Sequence, residues 1–138
     1  MFVEEQKNHT AAEKYCQEHG MALVSIDSES ESQFITDQVI AIGKGGCQGW
    51  EWECGWLTSG VRVGNSDSWR WGKHGDAWPA HSTGLNDKIF RNWNKGEPNN
   101  HGSDENCIHL WYQNGGTWDD HKCYKEMRFI CEVERMLS

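Results

Sequence analysis

The hydrophilic segment KGEPNNHGSDENC, residues 95–107, carries most of the side-chain oxygens in this sequence that could perform chemistry. It contains three carboxylates, three side-chain amides and one proline, and it offers no apolar run to bury. Asp119 and Asp120 follow soon afterwards, so that five carboxylates lie within 24 residues of one another. Like charges gathered this closely repel one another unless a cation lies among them. The spacing therefore predicts a bound metal ion.

The donor types of this segment favour calcium over zinc. Asp, Glu and Asn provide hard oxygen ligands, of which Ca²⁺ takes roughly six to eight, whereas Zn²⁺ prefers imidazole and thiolate. The seven histidines are scattered and form no HExxH motif, which indicates packed or solvated side chains. A cis peptide bond before Pro98 would turn the side chains of Glu97 and Asn99 to one side of the loop. We therefore expect both residues to reach one Ca²⁺ ion.

Composition excludes two classes of partner. The chain has 13 Lys and Arg against 21 Asp and Glu, a net charge of −8 that would repel the phosphate backbone of a nucleic acid. No apolar stretch is long enough for membrane insertion. Six cysteines without a C-x-x-C pair predict a disulfide framework and a secreted, extracellular protein. Because the opening MFVEEQ has no export signal, we expect a mature or recombinant form whose leader has been removed.

Helix signals come first in the chain and strand signals later. Capping boxes at Thr10–Glu13 and Ser28–Glu31 predict two helices, which should end near Gly20 and Gly43. Short strands are predicted at residues 22–26, 55–60, 68–71, 107–112, 116–120 and 127–134. This order is typical of an α+β protein, and the length of 138 residues predicts a single domain, residues 1–138.

A stretch of 35 residues, 72–106, has little helical or strand periodicity. A loop of this length is unusual in a compact domain unless something other than a hydrophobic core organises it. The stretch includes the oxygen-rich segment. We therefore expect a cation held by its side chains to organise the loop.

These motifs together resemble a known family. The segments GEPNNHGSDENC, WDD and FICE, preceded by AAEKYCQEHGMALVSI, GWLTSG and SWRWGKHG, closely resemble a C-type lectin domain in its short form, over nearly the whole chain. The resemblance implies a C-type lectin-like fold, with two helices, small antiparallel sheets and a long calcium-organised loop, stapled by disulfides. It implies the pairs Cys16–Cys131 and Cys107–Cys123 and leaves Cys47–Cys54 to close a small loop, although the sequence alone permits other pairings.

The resemblance also implies a site. Its calcium ligands would be Glu97, Asn99, Glu105, Asp119 and Asp120. Two neighbouring hydroxyls of a sugar would complete the coordination of the ion and hydrogen bond to Glu97, Asn99, Glu105 and Asp119. The order Glu-Pro-Asn is similar to that of lectins that bind mannose, glucose, N-acetylglucosamine or fucose. A second calcium site is not expected, because Asn100 and Asn106 stand where acidic ligands would be needed.

Asp119 departs from the family pattern, which usually has Asn at this position. An amide donates hydrogen bonds, whereas a carboxylate only accepts them. Asp119 and Glu105 would therefore face one hydroxyl proton with two acceptors. We expect strong calcium binding combined with sugar binding that is weaker or differently oriented.

The predicted function is that of a secreted, calcium-dependent lectin in glycan or pathogen recognition, as in innate immunity; a homo-oligomer is compatible with it. The alternative is an interaction module that contacts protein, mineral or ice without binding sugar. Catalysis is not expected, because a general acid needs a raised pKa whereas carboxylates around a cation stay ionised. Aromatic candidates for stacking on a sugar are Trp78, His101, Tyr112 and His121, each weighed against ordinary packing. Four tryptophans are assigned to the core: Trp56, Trp69, Trp71 and Trp118.

Overall fold

The computed structural model describes residues 1–82, 84, 88–100 and 103–133. Helices occupy the first third of the chain, and most strands follow them, which confirms the α+β class. The helices are α1 (His9–Glu18) and α2 (Glu29–Ile42), with a 3-10 helix at Tyr112–Asn114. The strands are β1 (Phe2–Lys7), β2 (Met21–Leu23), β3 (Trp56–Arg62), β4 (Ser68–Trp71), β5 (Trp78–Pro79), β6 (Glu105–Trp111), β7 (Thr117–Lys122) and β8 (Met127–Val133).

The two long helices begin at different kinds of cap. The side chain of Ser28 accepts a hydrogen bond from the backbone N–H of Glu31 at 3.2 Å, as the capping box predicts. Helix α1 begins earlier than predicted, because Asn8 adopts an extended conformation and its Oδ1 accepts from the N–H of Ala11 at 2.9 Å. Asn8, and not Thr10, is therefore the N-cap, since its side chain satisfies a free N–H of the first turn.

The strands form a mixed sheet and not the small antiparallel sheets that were expected. Strand β3 pairs with β4 and β6 in antiparallel fashion, but with β8 in parallel, where Trp56 lies opposite Arg128. Strand β8 also pairs with β1 and β2. Short turns in the sequence reveal hairpins only, whereas a parallel pair requires a long connection that leaves no local signal. This explains why the parallel pairing was missed.

Tryptophans dominate the core between α2 and the sheet. Trp56, Trp69 and Trp118 are fully buried, and Trp71 packs against the same cluster, which confirms their assignment to the core. Helix α2 contributes Ile35 and Val39 to this cluster.

Apolar packing also organises much of the long stretch before β6. Trp78 is 4% exposed, and the indole N–H of Trp93 donates to the carbonyl of Ala80 at 2.9 Å. The backbone around Trp93 joins β7, because Asn94 donates to the carbonyl of Trp118 at 2.8 Å. The expectation that a cation organises this stretch is therefore wrong for its described residues up to Asn94. Isolated tryptophans produce no periodicity, so the sequence pattern does not reveal this packing.

Three disulfides staple the fold, and their pairs are those that the resemblance implies. Cys16–Cys131 joins α1 to β8, Cys107–Cys123 joins β6 to the turn after β7, and Cys47–Cys54 closes a loop between α2 and β3. Among the described residues, neither helix has the length and hydropathy that a membrane span requires.

Candidate functional site

Three separate segments bring the predicted calcium ligands to one place. Strands β6 and β7 pair in antiparallel fashion, so that Glu105 at the start of β6 lies on the same hairpin as Asp119 and Asp120 in β7. The bridge between Trp93 and Trp118 places the preceding loop beside β7. All five predicted ligands line one cavity of about 410 Å³: Glu97, Asn99, Glu105, Asp119 and Asp120.

Glu97 and Asn99 are in direct contact across Pro98. The peptide bond between Glu97 and Pro98 is cis. The Asn99 side-chain amide donates to Oε1 of Glu97 at 3.1 Å, and the backbone N–H of Asn99 donates to Oε2 at 3.1 Å. Both side chains therefore lie on the same side of the loop.

Asp120 connects this loop to the sheet. Its Oδ1 accepts from the backbone N–H of Asn99 at 3.1 Å, and its Oδ2 accepts from the N–H of Asn100 at 2.6 Å. Arg62 also donates to Oδ2, at 3.1 Å, and both side chains are almost completely buried. Asp120 thus holds the loop against β3 by hydrogen bonds and by one ion pair.

Arg62 is a part of the site that the sequence did not reveal. Its guanidinium donates to Oδ1 of Asn106 at 3.2 Å and to the carbonyl of Glu105 at 3.1 Å, and it stacks on Trp69 at 4.5 Å. A fixed positive charge therefore lies beside Asn106, one of the positions where a second calcium site would need an acidic residue. An arginine at a strand end usually points to solvent, so no pattern in the sequence indicates its burial.

Glu97 experiences the negative charge of its neighbours. Burial, a hydrogen bond with Asp120 and the charges of Asp119 and Asp120 together raise the pKa of Glu97 to about 8. A proton at Glu97 thus reduces the repulsion that a cation would otherwise relieve.

Two buried histidines complete the polar lining of the cavity. Nε2 of His109 lies 3.6 Å from Oδ2 of Asp119, and Nδ1 of His121 lies 3.7 Å from Oε2 of Glu105. The two rings lie 5.0 Å apart. Burial, followed by the charge of His109, lowers the pKa of His121 to about 3, so its contact with Glu105 is not an ion pair at neutral pH.

The donor set fits a hard cation by its chemistry, but its arrangement needs adjustment. Oδ1 of Asp119 is buried and accepts no hydrogen bond from the described residues. Within that same part of the chain, however, no three His, Cys, Asp or Glu side chains converge as a ready metal site. The reason is that both oxygens of Asp120 already accept hydrogen bonds and that Glu97 bonds to Asp120. Calcium would require Glu97 to lose its proton and the carboxylates to turn towards the ion.

Among the described residues, the aromatic lining of the cavity shares only His121 with the candidates that the sequence suggested. Trp78 belongs to the core, Tyr112 packs against it, and His121 lines the cavity but is only 4% exposed. His101 lies outside the described residues. Trp52 and Tyr124 line the cavity instead. The tryptophan-rich sequence GWEWECGW at the Cys47–Cys54 loop contains Trp52, but no motif in it indicates a function.

Comparisons with known proteins agree with this architecture. The family model described as "Lectin C-type domain" matches residues 5–133. Salivary C-type lectin 1 of Aedes albopictus is 30% identical over 131 residues, which cover 91% of this chain and 75% of that protein. The carbohydrate-recognition domain of a mouse scavenger receptor C-type lectin is 26% identical, with a TM-score of 0.72, over 98% of this chain and 88% of that one.

The same fold also serves a different purpose. A calcium-independent type II antifreeze protein superposes with a TM-score of 0.65 at 20% identity, over 94% of this chain and 81% of that one.

The relatives of this chain are C-type lectins, a family of non-enzymatic carbohydrate-binding proteins, which confirms the prediction that the chain is not an enzyme. The chain belongs to the C-type lectin domain family.

Proposed function

We propose that this protein, as a single domain over residues 1–138, binds carbohydrate through a calcium ion. The ion would be held by Glu97, Asn99, Glu105, Asp119 and Asp120. When bound, it would supply positive charge and open coordination positions for two neighbouring sugar hydroxyls. The side chains of Glu97, Asn99, Glu105 and Asp119 would orient these hydroxyls by hydrogen bonds.

One observation carries this proposal: oxygen donors from three segments of the chain line the same cavity. The raised pKa of Glu97 supports it, because crowded carboxylates favour either a proton or a metal ion. The donor types match the preference of Ca²⁺ for carboxylate and amide oxygens. Similarity to a mouse carbohydrate-recognition domain supports sugar as the ligand class.

The proposed sugar class follows from the order Glu97-Pro98-Asn99. This order resembles lectins of the mannose, glucose, N-acetylglucosamine and fucose type, whose ligands present two neighbouring hydroxyls to the ion. The disulfides and the salivary origin of one relative support a secreted protein. The proposed role of such a secreted lectin is the recognition of glycans, including those of microbes. We expect binding to several glycans at once only if the chain forms an oligomer.

Affinity chromatography tests the proposal directly. The protein is loaded in calcium buffer onto immobilised mannose and, separately, immobilised galactose, and a chelator is then added. We expect retention on mannose, release by the chelator, and little retention on galactose. Retention on galactose alone would overturn the proposed sugar class, and retention that survives the chelator would overturn the role of calcium.

Two matched variants locate the binding. Glu105→Gln removes one charge from the cavity and should abolish retention on mannose. Asp104→Asn changes the preceding carboxylate, which pairs with Lys122 at 3.3 Å and does not line the cavity. Both side chains are half-buried, and an ion pair near the surface contributes little to stability. Asp104→Asn should therefore bind mannose as the wild type does, and equal losses in the two variants would contradict the proposed site.

A second candidate function is an interaction module that contacts protein, mineral or ice without sugar. The ion pair between Arg62 and Asp120 favours it, because this guanidinium already neutralises one of the predicted calcium ligands. The antifreeze protein of the same fold that is calcium-independent is compatible with such a role. Absence of retention on any sugar resin, together with no calcium binding by calorimetry, would favour this candidate.

A further inference from the structure

The cavity of the predicted calcium ligands has an aromatic side. Trp52 and Tyr124 line it together with those ligands, yet Trp52 remains 41% exposed and Tyr124 remains 62% exposed. Large aromatic side chains that stay accessible beside a polar cavity keep apolar surface in contact with water, which is unfavourable in free energy. We refer to Trp52 and Tyr124 as the aromatic shelf.

Within the aromatic shelf, Trp52 is separated from the predicted calcium ligand Glu105 by one side chain. The ring of Trp52 meets that of His121 edge to face, with 5.0 Å between ring centroids. On the other side, Nδ1 of His121 lies 3.7 Å from Oε2 of Glu105. A sugar whose hydroxyls reach Glu105 is therefore separated from Trp52 by the width of an imidazole. The shelf is placed to meet the next ring of a longer glycan.

The loop that carries Trp52 is fixed in place. The disulfide Cys47–Cys54 closes it, and the N–H of Cys54 donates to the carbonyl of Trp50 at 3.0 Å. The buried guanidinium of Arg128 donates to the carbonyl of Cys54 and, at 3.0 Å, to that of Lys44. A side chain held by such a scaffold loses little conformational entropy when a ligand binds to it.

We propose that the aromatic shelf is a second carbohydrate subsite, which binds the ring adjacent to the sugar held at the ion. This inference rests on the proposed function. The C–H face of a pyranose is apolar and covers an aromatic ring, while its hydroxyl groups remain in water. The subsite gives the otherwise unexplained Cys47–Cys54 loop a role in selecting oligosaccharides.

Charge favours a neutral second ring. Two lysines line the same cavity, but Lys122 pairs with Asp104 at 3.3 Å and Lys125 pairs with Glu53 at 3.7 Å. Their charges are thus partly balanced by carboxylates of the protein itself. A sulfated or carboxylated ring would have to compete with these pairs, whereas a neutral ring would not.

Titration calorimetry with two probes tests the subsite. Methyl α-mannoside occupies the ion site alone, whereas the mannobioses of each linkage can reach further. In calcium buffer we expect at least one mannobiose to bind about tenfold more tightly than methyl α-mannoside, a difference of about 1.4 kcal/mol. Trp52→Ala should remove this advantage, so that the mannobiose binds no more tightly than methyl α-mannoside does to the same variant.

Controls separate the subsite from the fold and from the ion site. Trp50→Ala alters a tryptophan of the same loop that is 72% exposed and does not line the cavity, and it should retain the advantage. Tyr124 lies outside this loop, and Tyr124→Ala should also reduce the affinity advantage of the mannobiose. A loss in both variants is then not explained by a folding defect in Trp52→Ala. If methyl α-mannoside binds but no mannobiose gains affinity, or if Trp52→Ala keeps the gain, the subsite is refuted and the lectin function stands. If neither probe binds, the proposed function fails and the subsite fails with it.

Discussion

At the scale of single residues, Glu97 couples the site to pH. Its pKa of about 8 keeps it protonated in the metal-free protein at neutral pH. Calcium requires the ionised carboxylate, so binding must release this proton. We expect calcium affinity to increase as the pH rises towards about 8 and to become constant above that value. Calorimetry in buffers of different ionisation enthalpy measures the proton directly.

The raised pKa of Glu97 also predicts how the stability of the calcium-free protein depends on pH. An unfolded Glu97 has its ordinary pKa of 4.5, whereas the folded protein holds the proton up to about pH 8. Between these values the native state binds more protons than the unfolded state, so the free energy of unfolding decreases as the pH rises. Glu97→Gln should remove both this pH dependence of stability and the proton release on calcium binding. Calcium binding without proton release at pH 7 would contradict the assignment of Glu97.

Asp119 determines the balance between metal and sugar. A carboxylate adds negative charge for calcium but offers no donor to a sugar hydroxyl. In Asp119→Asn we expect calcium to bind more weakly and the sugar, at saturating calcium, to bind more tightly by about 1 to 3 kcal/mol. Calorimetry with each ligand in turn measures the two changes. A fall in sugar affinity with a rise in calcium affinity would contradict this argument.

At the scale of elements, the stretch before β6 has two parts with different supports. The backbone from Asn92 to Asn94 joins β7 through Trp118, whereas the N–H groups of Asn99 and Asn100 bond to the carboxylate of Asp120. The first part depends on core packing and the second part on the site. Only the second should respond to the ion.

Hydrogen exchange distinguishes these two parts. We expect the amides of Asn94 and Trp118 to stay protected after a chelator is added, and those of Asn99 and Asn100 to change protection when calcium binds. Trp93→Ala should expose Asn94 and cost about 3 kcal/mol of stability, because its half-buried ring packs against Trp69 and Trp118. Trp50→Ala serves as the exposed control. A uniform loss of protection with the chelator would mean that the ion organises the whole stretch.

At the scale of the whole molecule, the disulfides contribute unequally to stability. Cys16 and Cys131 are 115 residues apart, whereas Cys47 and Cys54 are separated by 7. The longer link restricts the unfolded chain more strongly. We expect replacement by Ala to cost about 5 kcal/mol for the long link and about 2.5 kcal/mol for the short one. Urea unfolding of the two double variants measures the difference, and equal losses would contradict this entropic explanation.

The sequence by itself determined the elements and donors whose signals are local. The capping box of Ser28 and Glu31 fixes the start of α2, because a hydroxyl three residues before an N–H can accept its hydrogen bond. The strand Ser68–Trp71 was predicted with its observed bounds. The oxygen-rich run that includes Glu97, Asn99 and Glu105, with Asp119 and Asp120 after it, indicated a cation by donor type and spacing alone.

Only the tertiary structure decided which distant residues meet. Arg62 reaches Asp120 because β3 pairs with β6, and β6 pairs with β7, a register that no short segment encodes. Trp52 reaches the cavity because Arg128 and the Cys47–Cys54 disulfide hold its loop beside His121. The parallel pairing of β3 with β8 likewise joins segments that are distant in the chain. Local chemistry follows from residue type and spacing, whereas contacts across long loops depend on the packing of the whole chain.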